Sequence, residues 1–262
     1  MQAGDYADLY ALEKDLWWFA GMRAITAALL DPLCTPGRDR LILDAGCGTG
    51  ANLEWLARFA GDGRVVGLDL ASTALRFCRG RRDVESARAH PALAQASVTD
   101  LPFADQVFDL LTSFDVLGQV PGADDERALR EFRRVLRPGG IAFIRVAAYQ
   151  WMRSDHDAAL GTHRRYSIGQ LSARVERSGL RVVRATYANG VLLPVVAVRR
   201  LVLQRIGLCA RGSDVKPLPL GLRWLNRALA GTLGAEARVL RHPRTRLRAG
   251  LSAICIAEHP GR

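Results

Sequence analysis

The stretch Leu41-Ile-Leu-Asp-Ala-Gly-Cys-Gly-Thr-Gly50 constrains this chain more than any other. Three apolar residues, an aspartate and three alternate glycines suit a buried strand that ends in a turn too crowded for side chains. Gly46, Gly48 and Gly50 let the backbone approach a bound molecule closely, and 51–59 reads as a helix whose first amides face the same spot. The spacing Gly46-x-Gly48-x-x-Ala51 also satisfies the dinucleotide fingerprint, so on its own it leaves the cofactor open.

Downstream, strand and helix patterns alternate. Residues 63–69 form a second strand ending in Asp69, 19 positions after Gly50, where a carboxylate can accept both hydroxyls of a ribose or cap the helix that follows. A weaker third strand covers 92–97 and a fourth 107–113. An amphipathic helix spans 124–136, a Pro-Gly-Gly turn 137–140 and a fifth strand 141–147. This order predicts a mostly parallel sheet with helices on both faces and ligands at the strands' C-terminal ends.

Together, Asp44-Ala-Gly-Cys-Gly-Thr-Gly50, Asp69, Leu101-Pro-Phe103 before Phe108-Asp109, Phe114-Asp-Val-Leu117 and Leu136-Arg-Pro-Gly-Gly140 resemble the class I S-adenosylmethionine-dependent methyltransferases. The likeness covers about 40–147 and is narrower to the group that includes the ubiquinone and menaquinone methyltransferases. It implies an α/β, Rossmann-like, seven-stranded, mostly parallel sheet with an antiparallel last strand and helices on both faces. It also implies S-adenosyl-L-methionine as cofactor, with S-adenosyl-L-homocysteine as product. The cofactor would rest on Asp44, Gly46, Cys47, Gly48, Gly50, Asp69, Leu70, Ser97, Val98 and Phe114. Two positions depart from the family pattern. Ser97 stands where an aspartate commonly bonds the adenine amino group, leaving that contact to a hydroxyl or to the Val98 backbone. Gly118-Gln119 replaces a frequent Glu-His pair, removing an acid and a base near the methyl.

Residues 5–30 read as one helix with Leu9, Leu12, Leu16, Phe19 and Met22 on a common face. Trp17, Trp18 and Phe19 cannot all share it, so this helix either packs on the domain or forms a lid, with Trp18 and Arg23 closing over a cationic cofactor and its carboxylate. After 148 the chain turns polar and aromatic, and the Trp-Trp-Phe and His-Arg-Arg-Tyr segments resemble a subgroup of the same enzymes. Here Tyr149, Arg164 and Arg165 are candidates to bind substrate. His163 is the first candidate base, followed by His156 and Tyr166. Asp155, His156, Asp157 and His163 match no standard metal-ligand spacing, so no metal is expected. Ser167 with Gln170 predicts a capped helix. A strand at 180–187, an apolar helix at 191–206 with arginines at its end, a second helix at 220–241 and a last strand at 251–257 complete the pattern.

The whole reads as a single domain over 1–262: an N-terminal helical lid (1–36), a cofactor-binding core (37–147), a substrate-side segment and strand (148–189), a helical insertion (190–245) and the last strand (246–262). The formal charge of +11 admits an anionic partner, but Lys14 and Lys216 are the only lysines and no aromatic-interleaved basic stripe is present. Nucleic acid is therefore not the expected partner, and RNA methylation stands as an alternative beside a cofactor-binding subunit without chemistry. The insertion, apolar in body and basic at its rim, suits a hydrophobic anionic acceptor or peripheral contact with an anionic membrane. Five widely spaced cysteines, a polar N-terminus and no long apolar run give the expectation of a cytoplasmic protein. The composite expectation is methyl transfer to a small molecule, with acceptor and oligomeric state open.

Overall fold

The computed structural model describes residues 3–34, 38–81, 91–122, 124–154, 157–158, 161–199 and 223–261. His156, Asp155 and the expected helical residues 200–206 lie outside them. Seven strands form one sheet: β1 (Leu41–Ala45), β2 (Arg64–Asp69), β3 (Ala92–Gln95), β4 (Phe108–Phe114), β5 (Leu136–Ala147), β6 (Arg181–Ala188) and β7 (Ser252–Glu258). Their order is β3-β2-β1-β4-β5-β7-β6. All pairings up to β5 are parallel, and β7 runs antiparallel to both of its neighbours. The last strand is therefore an insert between β5 and β6, leaving β3 and β6 as the edges.

Alternation along the central strands builds two cores. Leu43, Leu111 and Ile144 face one side, covered by α5 (Asp124–Val135) and α6 (Ile168–Arg177) through Phe132 and Leu171. Ile42, Leu110, Phe143 and Ile254 face the other, covered by α2 (Trp17–Leu30) and by α8 (Arg223–Leu240) through Ile25 and Leu233. Side chains of period 2 on the strands meet helices whose apolar stripes face inward.

Four local expectations are corrected. The N-terminal segment is two helices, α1 (Ala3–Asp15) and α2, broken at Leu16, whose backbone is extended (φ −75°, ψ 128°). The helix after the glycine turn shrinks to α3 (Leu53–Leu56) and one 3₁₀ turn. Residues 137–140 do not separate α5 from β5: Leu136 already pairs with Phe108, and an irregularity carries the chain to Ile141 opposite Leu110. The apolar helix expected over 191–206 is described only as α7 (Leu193–Val198), which has no buried residue and so is not covered on both sides. The capping box of Ser167 and Gln170 forms as expected.

Candidate cofactor and acceptor site

β1 delivers its chain end to a turn in which Gly46, Gly48 and Gly50 have φ of 86°, 55° and 85°. At Gly46 a side chain is excluded sterically, since its Cβ would lie 2.2 Å from Val116 Cγ2. At Gly48 the space is open and only the left-handed backbone calls for glycine. Asp69, at the end of β2, locks the turn. Its Oδ2 accepts from the Gly48 N–H (2.9 Å) and its Oδ1 from the Ala71 N–H (2.9 Å). The N-cap of α4 (Ser72–Gly80) is Ala71, so Asp69 ties turn to helix rather than capping the helix itself. The long helix foreseen after the turn is reduced to the one-turn α3, and its first amide, Leu53 N–H, is spent on Gly50 C=O (3.1 Å).

The turn opens on a cavity of about 800 Å³. Gly46, Cys47, Gly48, Asp69, Leu70, Ser97, Val98, Phe114, Trp18 and Arg23 all line it, so all the residues expected at the cofactor except two share one space. The exceptions, Asp44 and Gly50, sit behind the wall. Asp44 is 1% exposed; its Oδ1 accepts from Thr112 Oγ1 (2.8 Å), while Oδ2 has no partner among the described residues. Burial raises its pKa to about 7 against the opposing pull of the Thr112 bond and Arg145. Ser97 Oγ and Thr99 Oγ1 are 2.8 Å apart, so the residue standing in for the family's aspartate is already in a hydroxyl pair.

Closure of the cavity depends on residues that the sequence did not mark. Glu13 of α1 accepts from Thr49 Oγ1 and from Arg81 Nη2, and Arg81 also donates through Nε to Thr49 C=O (2.8 Å) and lies 4.1 Å from the Tyr10 ring centroid. α1 is thus fastened to the glycine turn. Burial raises the Glu13 carboxyl above its ordinary range and lowers Arg23, which is drawn back up by Glu13. The second helix is fastened from the other end of the chain. Asn226 of α8 accepts from the Trp17 N–H and donates to Asp15 C=O, both at 2.8 Å, bridging the break at Leu16.

The substrate-side candidates divide. Arg165 lines the cavity, 5% exposed, with Nε on Asp157 Oδ1 (2.7 Å) and Nη1 on Ala148 C=O (3.0 Å). His163 is exposed and outside the lining, because its backbone N–H is pinned to Gly118 C=O (2.7 Å); it is not placed as a base. Tyr166 is buried with its hydroxyl donating to Asp125 Oδ2 (2.8 Å) and Leu117 C=O (3.2 Å), and burial with that carboxylate pushes its pKa upward, away from base chemistry. Arg164 is spent on the same Asp125 (2.9 Å), which Arg174 also reaches (2.7 Å). This is a structural hub; although burial raises Asp125, bonds from Arg174 and Tyr166 hold its carboxyl low. Tyr149 stacks on Tyr187 (5.0 Å) and Trp151 (5.5 Å) and does not line the cavity. Asp157, once a conceivable metal ligand, is committed to Arg165; among the described residues no cluster could hold a metal ion. The departure at Gly118 has a local cause: a Cβ there would lie 2.7 Å from Arg164 C=O, where the His-Arg-Arg-Tyr segment crosses.

Residues 43–144 match the family model described as "Methyltransferase domain". The chain is 36% identical over 124 residues to the fatty-acid O-methyltransferase of Mycolicibacterium smegmatis, covering 45% of this chain and 43% of that protein. It is 38% identical over 103 residues to the 2-phytyl-1,4-naphtoquinone methyltransferase of Trichormus variabilis, covering 39% and 44%. The chain therefore spans less than half the length of either relative. Over the whole fold it resembles a chain from the complex between the Haloferax volcanii Trm112 methyltransferase activator and a methyltransferase, with a TM-score of 0.61, 20% identity, and 99% and 96% of the two chains covered. With the glycine turn, Asp69 and the β7 insertion in place, these matches put residues 43–144 among the class I S-adenosylmethionine-dependent methyltransferases.

Proposed function

We propose that the protein transfers the methyl group of S-adenosylmethionine to a small-molecule acceptor with an apolar body and an anionic group. The observation that carries this reading is the single cavity joining the Asp69-locked glycine turn to an apolar and aromatic compartment under α1 and α2. The donor set fits the cofactor. Asp69 keeps a free lone pair on each oxygen for a ribose diol, Ser97 and Val98 line the same cavity and offer a hydroxyl and a backbone to an adenine edge, and Gly48 leaves its face open for close approach. When bound, the sulfonium supplies a methyl already activated for in-line displacement. The chain's own residues orient the reactants and exclude water. Leu12, Leu16, Trp18 and Phe114 wall the space, and Val196 and Arg199 of the insertion stand at its rim. An apolar anionic acceptor agrees with the name of the mycolicibacterial relative and with these walls. Asp69→Ala is expected to weaken S-adenosylhomocysteine by about 1.5–3 kcal/mol, the scale of charged hydrogen bonds. Unchanged affinity in a folded variant, read by calorimetry, would remove the assignment.

Contact with an anionic membrane is part of the same proposal. Val191, Val195 and Val198 stand exposed along one side of α7 and its approach, and Arg227 and Arg238 are exposed on α8. Among the described residues no helix is long and apolar enough to cross a membrane, so contact would be peripheral. Co-sedimentation with anionic vesicles at low salt, released at high salt, is expected; absence of binding at low salt rejects this part.

A further inference from the structure

Arg145 lies on β5 opposite Phe114 of β4, is 6% exposed, and still lines the cavity. Its guanidinium has the Trp18 ring centroid at 5.1 Å and that of Phe114 at 4.9 Å. Two aromatic rings therefore pack on the cation, leaving its N–H edges for hydrogen bonding. One edge is taken: Nε and Nη2 both donate to Asp115 Oδ2, at 3.0 and 2.7 Å. The Asp115 N–H donates to Arg145 C=O (2.8 Å) in return, and this two-ended hold keeps Asp115 at φ 62°, in the left-handed region. Of the five guanidinium N–H groups, the end-on pair from Nη1 and Nη2 is left without an acceptor among the described residues.

The position of this open fork in the sheet sets it apart from the glycine turn, on the far side of Trp18 and Phe114, the two rings that line the cavity between them. The glycine turn, Asp69 and Ser97 belong to the ends of β1, β2 and β3, whereas Arg145 is two strands from β1 across β4, roughly 10 Å at the usual strand spacing. Ala147, Asn189 and Ser252, from the β5, β6 and β7 ends, line the same half of the cavity.

Resting on the methyl-transfer reading, we propose that the Nη1/Nη2 fork of Arg145 anchors the carboxylate of the acceptor and makes this a site for apolar carboxylic acids, methylated on oxygen. A planar two-oxygen anion matches a planar two-donor fork. Asp115 already presents one negative charge to the same guanidinium, so a monoanion suits the site better than a phosphate dianion. In the transfer, a carboxylate oxygen forms the O–CH₃ bond as the S–CH₃ bond breaks and its electron pair stays on sulfur. Sulfonium and carboxylate charges cancel to a thioether and an ester, no proton is released, and no base is required. The neutral ester loses its ion pair with Arg145, which favours its release.

Calorimetry on the protein saturated with S-adenosylhomocysteine, titrated with straight-chain carboxylates and the matching primary alcohols, tests this. The carboxylates are expected to bind at least about tenfold more tightly than the alcohols, and Arg145→Gln to abolish that preference while S-adenosylhomocysteine affinity stays within about threefold. Arg145→Lys is expected to retain part of the preference. Asp115→Asn, which keeps the cation, is expected to strengthen carboxylate binding and so covers the case in which Arg145→Gln does not fold. Equal binding of acids and alcohols by the wild type, or weaker carboxylate binding in Asp115→Asn, overturns the proposal. An Arg145→Gln protein that loses S-adenosylhomocysteine as strongly as acid overturns it too, by placing Arg145 on the cofactor. Failure of the wild type to bind S-adenosylhomocysteine at all would instead sink the methyl-transfer reading, and this inference with it.

Discussion

Asp44 carries a carboxyl in a place that resists charge. Burial raises its pKa to about 7, helped by the negative charges of Asp69 and Glu13 and opposed by Thr112 and Arg145. The folded chain thus holds a proton that the unfolded chain, with an ordinary carboxylate, has lost between about pH 4 and 7. Stability from this group is therefore full below about pH 4, falls as pH rises through that window, and levels off above about pH 7. Asp44→Asn is expected to flatten this slope in thermal melts taken at pH 5 and pH 8. A cation bound across the glycine turn favours the ionised form, so wild-type affinity for S-adenosylmethionine should rise about tenfold from pH 6 to pH 8 and the variant's should not. Isothermal titration at the two pH values checks both. The glycine turn and the place of Asp69 at the end of β2 were legible because a left-handed backbone and a strand-end acid leave marks in one short stretch. That Asp44 lies behind the wall was not, because whether a side chain lines a cavity or backs it depends on neighbours such as Val116 and Thr112, which lie far off in sequence.

Between elements, the seam of α2 and α8 fixes the second N-terminal helix. A Cβ on Gly21 would fall 2.4 Å from Leu233 Cδ1 and 2.6 Å from Leu233 Cβ, so the two helices meet where only glycine fits. Gly21→Ala should cost about 1–3 kcal/mol as an overpacking change. Truncating the opposing side chain as well, in Gly21→Ala/Leu233→Ala, should lose less than the sum of the single changes, as urea unfolding of all three proteins would reveal. The sequence predicts one helix over 5–30 because its apolar spacing continues across Leu16. The break is made by Asn226, a partner 209 residues from Trp17, and periodicity has no access to such a bond. The reverse holds for α6, where the cap and its partner are three residues apart and the sequence alone placed the helix start.

At the scale of the molecule, the seven-stranded sheet and its antiparallel last strand followed from strand alternation and the family likeness, while the strand order and the standing of the insertion did not. Its second helix is core: Leu233 and Leu240 are fully buried, and Glu236 accepts the N–H groups of Asn189 and Gly190 at the end of β6. Arg184 of β6 in turn donates to Leu240 C=O and Thr245 C=O, both at 2.7 Å. Deleting 195–241 behind a short linker should therefore abolish the cooperative thermal transition rather than yield a folded domain with an open site. A sharp transition in the deleted chain would show α8 to be an addition after all. Composition could not make this distinction, since an apolar helix with scattered arginines reads the same whether it is covered by the protein's own sheet or by an acceptor.

The Asn226 clasp also sets a schedule for the chain's birth. Synthesis at about 5–20 residues per second puts roughly 10–40 s between the appearance of Trp17 and that of its partner 209 residues later. Through that interval α1 and α2 leave the ribosome with Leu233, Ala237 and Leu240 still unmade, and their apolar face lacks its cover. The clasp of Glu13, Thr49 and Arg81 lies within the first 81 residues, so α1 can be fastened to the glycine turn while α2 still waits for its partner helix.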